Sequence, residues 1–258
     1  MTALVSLRRT WSELLTAIQF LTRVPVPSQP YEADSLARAV KYFPVVGFLL
    51  GSLAALLYFL LALHLPQPVV ALLVVIFLVF VTGGLHEDGL ADVADGFGGG
   101  RDREQILRIM RDSRIGTYGA AALALSLLAR VLLLSSLPLA HLTQYLISSH
   151  VLCRWTTLPL SYYLRPARSG GDTTDGQGAR VAQLTSRGAL IAGSIFSLVV
   201  VGLLLRIQAV VPILMTIMVT LLSALYYQRR IDGITGDCFG ATNQLTEIAV
   251  YLCGVWIA

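Results

Sequence analysis

The sequence predicts an all-α integral membrane protein, a polytopic bundle of about six to seven transmembrane helices behind an N-terminal interfacial helix. Three observations predict it. Of 258 residues, 55% are hydrophobic. Only 13% are charged, against about a quarter in a soluble domain, and mean hydropathy is +0.72. The charged residues also crowd into a few segments, which separate apolar runs close to the roughly 20 residues that cross a bilayer. The net charge of +4 does not point to nucleic acid. No basic module with interleaved aromatics is present, and the cations flank apolar runs.

The elements follow in order. Trp11, Leu14, Leu15, Ile18 and Leu21 recur at helical spacing among Arg8, Arg9, Glu13 and Arg23, which predicts an amphipathic helix lying in the interface. No small-residue cleavage site follows it. Pro25, Pro27 and Pro30 end it. Residues 44–65 form the first span, with Gly47 and Gly51 spaced for close helix packing. Pro66 and Pro68 make a turn, and 69–85 is the second span. Residues 118–137 are the third, with Arg130 inside, and Pro138 breaks it. The fourth, 139–160, is more polar, with His141, Ser148, Ser149, His150 and Arg154. Spans five and six are 188–205 and 209–227, and 246–258, extended from 241, makes a seventh.

The whole chain reads as one membrane-embedded domain. With the N-terminus in the cytoplasm, the positive segments 1–41, 101–114, 165–187 and 229–230 all fall on the cytoplasmic side. Three polar stretches, 83–119, 161–187 and 228–247, then converge on that face.

The chemistry concentrates in 83–119. Asp88, Asp92 and Asp95 are spaced i, i+4, i+7, one face of a helix. Three carboxylates there repel unless a cation neutralises them. Hard oxygen ligands select Mg²⁺ or Mn²⁺, and magnesium commonly adds substrate phosphates. Gly98 and Gly99, within a glycine run, would let backbone N–H groups approach phosphate. Arg111, Asp112, Ser113, Arg114 and Gly116 follow. Arginine forks suit phosphate oxygens, and Asp112 would orient an arginine or join the metal. For Arg101, Arg103 and Arg108, membrane-flanking charge is the preferred reading. Glycines bracket Asp237, and Glu247 sits in an otherwise apolar run, so both are functional candidates. Arg154 is a candidate substrate contact, and Asp172 and Asp175 read as a solvated turn. Cys153, Cys238 and Cys253 are scattered, without zinc spacing.

These residues bring out a resemblance. TGGLHEDGLADVADGFGGG at 82–100 and IMRDSRIGTYG at 109–119 resemble the cobalamin synthase (adenosylcobinamide-GDP ribazoletransferase) family, as do TRVPVP at 22–27, FPVVG at 43–47 and TGDCFGA at 235–241. The resemblance implies a Mg²⁺-dependent, multi-pass enzyme of the bacterial inner membrane. Its substrates would be a corrinoid nucleotide and α-ribazole or its 5′-phosphate, with GMP released. It implies a metal set of Asp88, Asp92 and Asp95, a signature at Arg111, Asp112, Ser113 and Arg114, and a C-terminal acidic motif with Asp237 and Glu247, of which Glu247 is the expected further metal ligand. Asp92 or Asp237 would take the proton from the attacking hydroxyl. Two positions depart from the family pattern: Glu87 stands where Leu is frequent, and Gln244 where Glu is frequent. The bilayer is an expected partner, nucleic acid is not, and homo-oligomerisation is left open.

Two rivals remain at this stage. A CDP-alcohol phosphotransferase also sets aspartates on membrane helices, but its Ala-Arg pair is absent, since Ala91 is followed by Asp92. A cation or corrinoid transporter would place its carboxylates near the bilayer midplane and show repeated, broken helices.

Overall fold

The computed structural model describes residues 2–27, 34–168 and 185–257, with side chains from Arg8 onward. Asp172 and Asp175 lie outside the described residues. The described chain is helical, with no strand, and a single parallel bridge joins Pro166 to Ile234.

Helix α1 (Thr2–Leu21) is the expected amphipathic helix: Leu15, Ala17 and Leu21 are buried while Trp11 faces outward. Short α2 (Ser35–Ala39) runs through a 3₁₀ turn into α3 (Phe43–Ala62). Glu13 of α1 pairs with Lys41 at 2.8 Å and Arg38 at 3.6 Å, which ties α1 to α2 and the 3₁₀ turn, and with Arg9 of its own helix at 3.2 Å. Helix α3 packs on α8 (Leu139–Trp155) through its two glycines. A Cβ on Gly51 would lie 2.7 Å from Ile147 Cα, and one on Gly47 would collide with the His150 carbonyl. The spacing predicted from sequence does allow the backbones to touch.

Helix α4 (Gln67–Thr82) ends at Gly83 and Gly84, both left-handed at φ 66° and 71°. Helix α5 (Leu85–Gly99) leaves at 88° to α4. The second predicted span, 69–85, thus ends where α4 does, and the acidic stretch that follows it forms a separate helix turned aside from α4. The rest are α6 (Arg103–Ile109), α7 (Thr117–Ser136), α9 (Thr157–Tyr163), α10 (Arg187–Leu205), α11 (Val210–Ile231) and α12 (Gly236–Ile257).

Three helical stretches are long and apolar enough to cross a membrane: Ser35–Ala62, Thr117–Ser136 and the 45-residue Arg187–Ile231, which holds two of the predicted spans. Helix α4 passes that test only when joined to α5, from which it is bent by 88°. The predicted fourth and seventh spans, α8 and α12, fall outside that test. Helix α8 has 17 residues, including His150 and Arg154, and α12 carries Asp237, Asn243, Gln244 and Glu247. Ser148, Ser149, His150 and Arg154 of α8 and Asn243, Gln244 and Glu247 of α12 are turned inward and buried. Helices α10 and α11 bury one narrow stripe each, Ala189, Gly193, Ser197, Val201 and Leu205 in the first and Pro212, Thr216, Thr220, Ser223 and Tyr227 in the second. Leu198, Leu203, Leu214 and Leu221 face outward, as lipid-facing positions must.

Two apolar clusters form the core. One gathers Leu21, Phe43, Phe97, Ile106, Leu158, Ile231 and Phe239 at the end where α5 lies. The other gathers Tyr58, Val74, Leu134, Tyr145, Leu152 and Val250 at the opposite end. Between them, α5, α7, α8 and α12 contribute buried Glu87, Arg130, His150, Arg154, Gln244 and Glu247.

Candidate active site

Helix α5 is held where it is by glycines. At the break, a Cβ on Gly83 would collide with the Arg23 side chain, and the Arg23 amide donates to the Val81 carbonyl at 2.7 Å. The TRVPVP segment thus clasps the bend. Glu87 and Asp88 stand in the first turn, where a helix N-terminus favours negative charge. One face of α5 buries His86, Gly89, Leu90 and Phe97. Asp88 is exposed, and Asp92 and Asp95 are half-buried.

Gly89 receives the first turn of α12. A Cβ there would lie 2.8 Å from the Asp237 carbonyl oxygen and 3.1 Å from its Cα. Gly240 approaches in return, 3.4 Å from Gly89 Cα by the same measure. This backbone contact brings Asp237 close enough for its charge to act on Asp92, and for that of Asp88 to act on it. The Thr235 hydroxyl donates to Asp237 Oδ2 at 3.2 Å. Burial, then Asp237, Asp88 and Asp95, push the Asp92 carboxyl up to about 7, against a downward pull from Arg168. Negative charge therefore outweighs local positive charge on this face.

Asp95 has a further task. Its two oxygens accept the amides of Gly116, at 2.7 Å, and Gly119, at 2.8 Å, and so cap the start of α7. A Cβ at either glycine would run into the Asp95 carboxylate. The glycines of the signature loop let this carboxylate reach the helix end.

Within that loop, Arg114 forks onto Asp112, with Nε to Oδ1 at 3.0 Å and Nη2 to Oδ2 at 2.6 Å. Those hydrogen bonds hold the Asp112 carboxyl down at about 2. Asp112 orients an arginine, as one of its two expected roles required. Arg111, Ser113, Arg114 and Gly116 are exposed. Gly98 and Gly99 do not form a phosphate cradle. They lie in the last turn of α5, where amides belong to the helix ladder. The Tyr118 ring fills the space beside Gly98, 2.6 Å from where a Cβ would sit.

Two predicted site residues are placed elsewhere. Glu247 lies about 15 Å along α12 from Asp237 at the helical rise. It is 2% exposed, and its Oε2 is 3.8 Å from Arg130 Nη1. Arg154 is also buried, with Nη1 3.1 Å from His150 Nδ1. His150, Cys153 and Glu247 bring potential ligand atoms within 4.8 Å of one another. Arg154 Nη1 already donates to Cys153 Sγ, and Arg130 stands beside Glu247. Two guanidinium groups oppose a cation there.

Three residues have roles that sequence reasoning did not give them. Arg103, read as flanking charge, donates through Nε to the Ile231 carbonyl at 2.9 Å and through Nη2 to the Ala167 carbonyl. It pins the 165–168 segment, whose Ala167 amide donates to Ile234 at 2.9 Å. Arg168, carried by that segment, faces Asp92 and Asp237, and nothing in its sequence context marks it. Glu87 pairs with Arg130 at 2.8 Å. The signal for that pair, an arginine within a span, was present.

The comparisons with known proteins agree with the resemblance. The family model described as cobalamin-5-phosphate synthase matches residues 13–255. A Sinorhizobium medicae adenosylcobinamide-GDP ribazoletransferase is 42% identical over 96% of this chain and 97% of its own length. Proteins of the same name from Polaromonas sp. and Rhizobium meliloti are 38% identical over 93% of this chain and 95% of their own, and 40% over 96% and 97%, respectively. No solved structure matches. With its helical membrane architecture and carboxylate-lined end, the chain belongs to the cobalamin-5-phosphate synthase family of bacterial membrane transferases.

Proposed function

We propose that the protein joins adenosylcobinamide-GDP to α-ribazole or its 5′-phosphate and releases GMP, at a site on the cytoplasmic face of the inner membrane. The observation that carries this reading is the seat of Asp237 on Gly89, which adds a fourth carboxylate to the face of Asp88, Asp92 and Asp95.

That donor set fits Mg²⁺. It consists of hard carboxylate oxygens, and the Asp92 carboxyl is raised first by burial and then by Asp237, Asp88 and Asp95, against Arg168 alone. Asp88 and Asp237, the two carboxylates that act most strongly on Asp92, would hold the ion. When bound it would supply charge neutralisation for the diphosphate, the main requirement of phosphoryl transfer. Asp95 keeps its capping role and anchors the signature loop to the acidic helix.

A ribazole hydroxyl attacks the phosphorus attached to cobinamide. The new P–O bond forms, the bond to the bridging oxygen of the diphosphate breaks, and GMP departs with that oxygen. Asp92 takes the hydroxyl proton, since a carboxyl held near 7 is matched to a base working at neutral pH. Arg111 and Arg114, exposed on the signature loop, receive the departing phosphate.

The test is GMP release by purified protein in detergent, given adenosylcobinamide-GDP and α-ribazole while Mg²⁺ is scanned. Asp92→Asn is expected to lower turnover about 10³-fold. Near-normal Mg²⁺-dependent release by folded Asp92→Asn would remove Asp92 from the mechanism, and a wild-type protein that consumes a CDP-lipid instead would overturn the substrate assignment.

A further inference from the structure

The buried charges between the two apolar clusters connect to the acidic face through the backbone. Arg130 on α7 is 1% exposed. Its Nη2 donates to Glu87 Oε1 at 2.8 Å, and its Nη1 lies 3.8 Å from Glu247 Oε2. Glu87 immediately precedes Asp88 on α5, and Glu247 belongs to the helix that opens with Asp237. One guanidinium therefore holds together the two helices that carry the facing carboxylates. A third side chain touches this pair: Gln244 Nε2 donates to Glu87 Oε1 at 3.3 Å, and Gln244 Oε1 accepts from the Ser126 hydroxyl at 3.1 Å. Gln244 is 2% exposed.

We propose that Arg130 is a positioning residue for the acidic face, holding α5 against α12, and that the carboxylate it requires serves from either side of the Glu87–Gln244 contact. The argument is one of charge and shape. Glutamate and glutamine have nearly the same volume, and the two side chains meet end to end. Exchanging them leaves the number of buried charges unchanged. A Gln at 87 keeps a donor for a carboxylate at 244, and the Ser126 hydroxyl still donates to position 244. The guanidinium keeps a carboxylate on the same contact. Removing the carboxylate from both positions leaves Arg130 with Glu247 alone, and α5 loses the ion pair beside Asp88. Adding one at 244 without removing Glu87 puts two carboxylates against each other in a buried layer.

The role of Arg130 in turnover rests on the function proposed above, so the experiment carries a second readout. Wild type, Glu87→Gln, Gln244→Glu, the Glu87→Gln/Gln244→Glu exchange and Arg130→Met are purified in detergent. GMP release is measured, and bound Mn²⁺, used in place of Mg²⁺, is counted by electron paramagnetic resonance. Each single glutamate or glutamine change is expected to weaken Mn²⁺ binding and slow GMP release by about tenfold or more, and the exchange to return both to within about threefold of wild type. Arg130→Met is expected to lose both, without recovery when the exchange is added. Where Arg130→Met does not fold, the near-isosteric exchange decides. A Glu87→Gln variant equal to wild type in both readouts, or an exchange no better than its single variants, overturns the proposal. If wild type releases no GMP while Mn²⁺ binding follows the loss and recovery, the substrate reading falls and the positioning role stands.

Discussion

Glu87 and Asp88 are adjacent carboxylates with opposite surroundings. Glu87 is 7% exposed and paired with Arg130, in a layer that also holds Glu247 and Arg154. Two carboxylates and two guanidiniums balance there. Asp88 is exposed and shares its face with Asp92, Asp95 and Asp237, with Arg168 as the cation that acts on Asp92 and Asp237. A helix that turns one residue inward and the next outward thus separates two uses of negative charge. The inner carboxylate is satisfied by the protein and fixes helix positions. The outer ones are left short of positive charge, and this shortage is what a divalent cation and a diphosphate can exploit.

The sharpest way to break that comparison is to remove charge on each side of it. Glu87→Ala removes the nearer of the two carboxylates that buried Arg130 pairs with and is expected to cost about 3 kcal/mol of stability. Asp92→Asn is expected to raise the thermal midpoint of metal-free protein, because it relieves repulsion, while nearly abolishing turnover. Thermal unfolding in detergent checks both signs. If both variants lost stability alike, the acidic face would be part of the scaffold.

Gly89→Ala tests the joint between the regions. The added methyl meets the Asp237 backbone, which cannot swing away as a side chain can. A displacement near 1 Å at a reacting centre costs about 100-fold in rate. That loss is expected in GMP release, along with weaker metal dependence, and unchanged turnover would show that Asp237 need not touch α5.

The pH dependence follows from the Asp92 carboxyl at about 7. As a base it works deprotonated, so the rate is expected to rise with pH up to that value and then level off. Well below it the slope is about tenfold per pH unit. Added Mg²⁺ favours the carboxylate form and moves the limb to lower pH. Asp92→Asn abolishes the limb, whereas Glu87→Gln leaves it in place, because the buried layer takes no proton from the substrate. A limb that persists in Asp92→Asn would assign the base to another group.

Helices were legible because apolar run length and spacing act within one element. The α1 stripe, the α3 glycines and the shared face of Asp88, Asp92 and Asp95 all come from local periodicity. What the sequence did not disclose depends on contacts between elements. Gly83 and Gly84 open the polar stretch without marking a bend in the sequence, yet their left-handed backbone sets α5 at 88° to α4. Glu247 read as a ligand because an ionisable group in an apolar run signals function, and only the packing of α7 against α12 shows its partner to be Arg130. Arg168 was invisible because its position is fixed by pairing of its segment with Ile234, distant in the chain.

Asp95 sits between the two regions and gives the finest test of their separation. Its spacing places it with Asp88 and Asp92, but its oxygens cap α7, the helix that carries Arg130. Asp95→Ala removes a cap and is expected to cost about 1 kcal/mol. Asp95→Asn keeps one acceptor oxygen and loses the charge, so a capping role predicts a smaller destabilisation than for alanine and a modest fall in turnover. A metal ligand predicts the reverse order of readouts: intact stability and a loss of Mg²⁺ response as deep as that of Asp88→Asn. Thermal unfolding and Mg²⁺ titration of the same two variants separate the cases, because a cap needs an acceptor at the start of α7 and a ligand needs the charge.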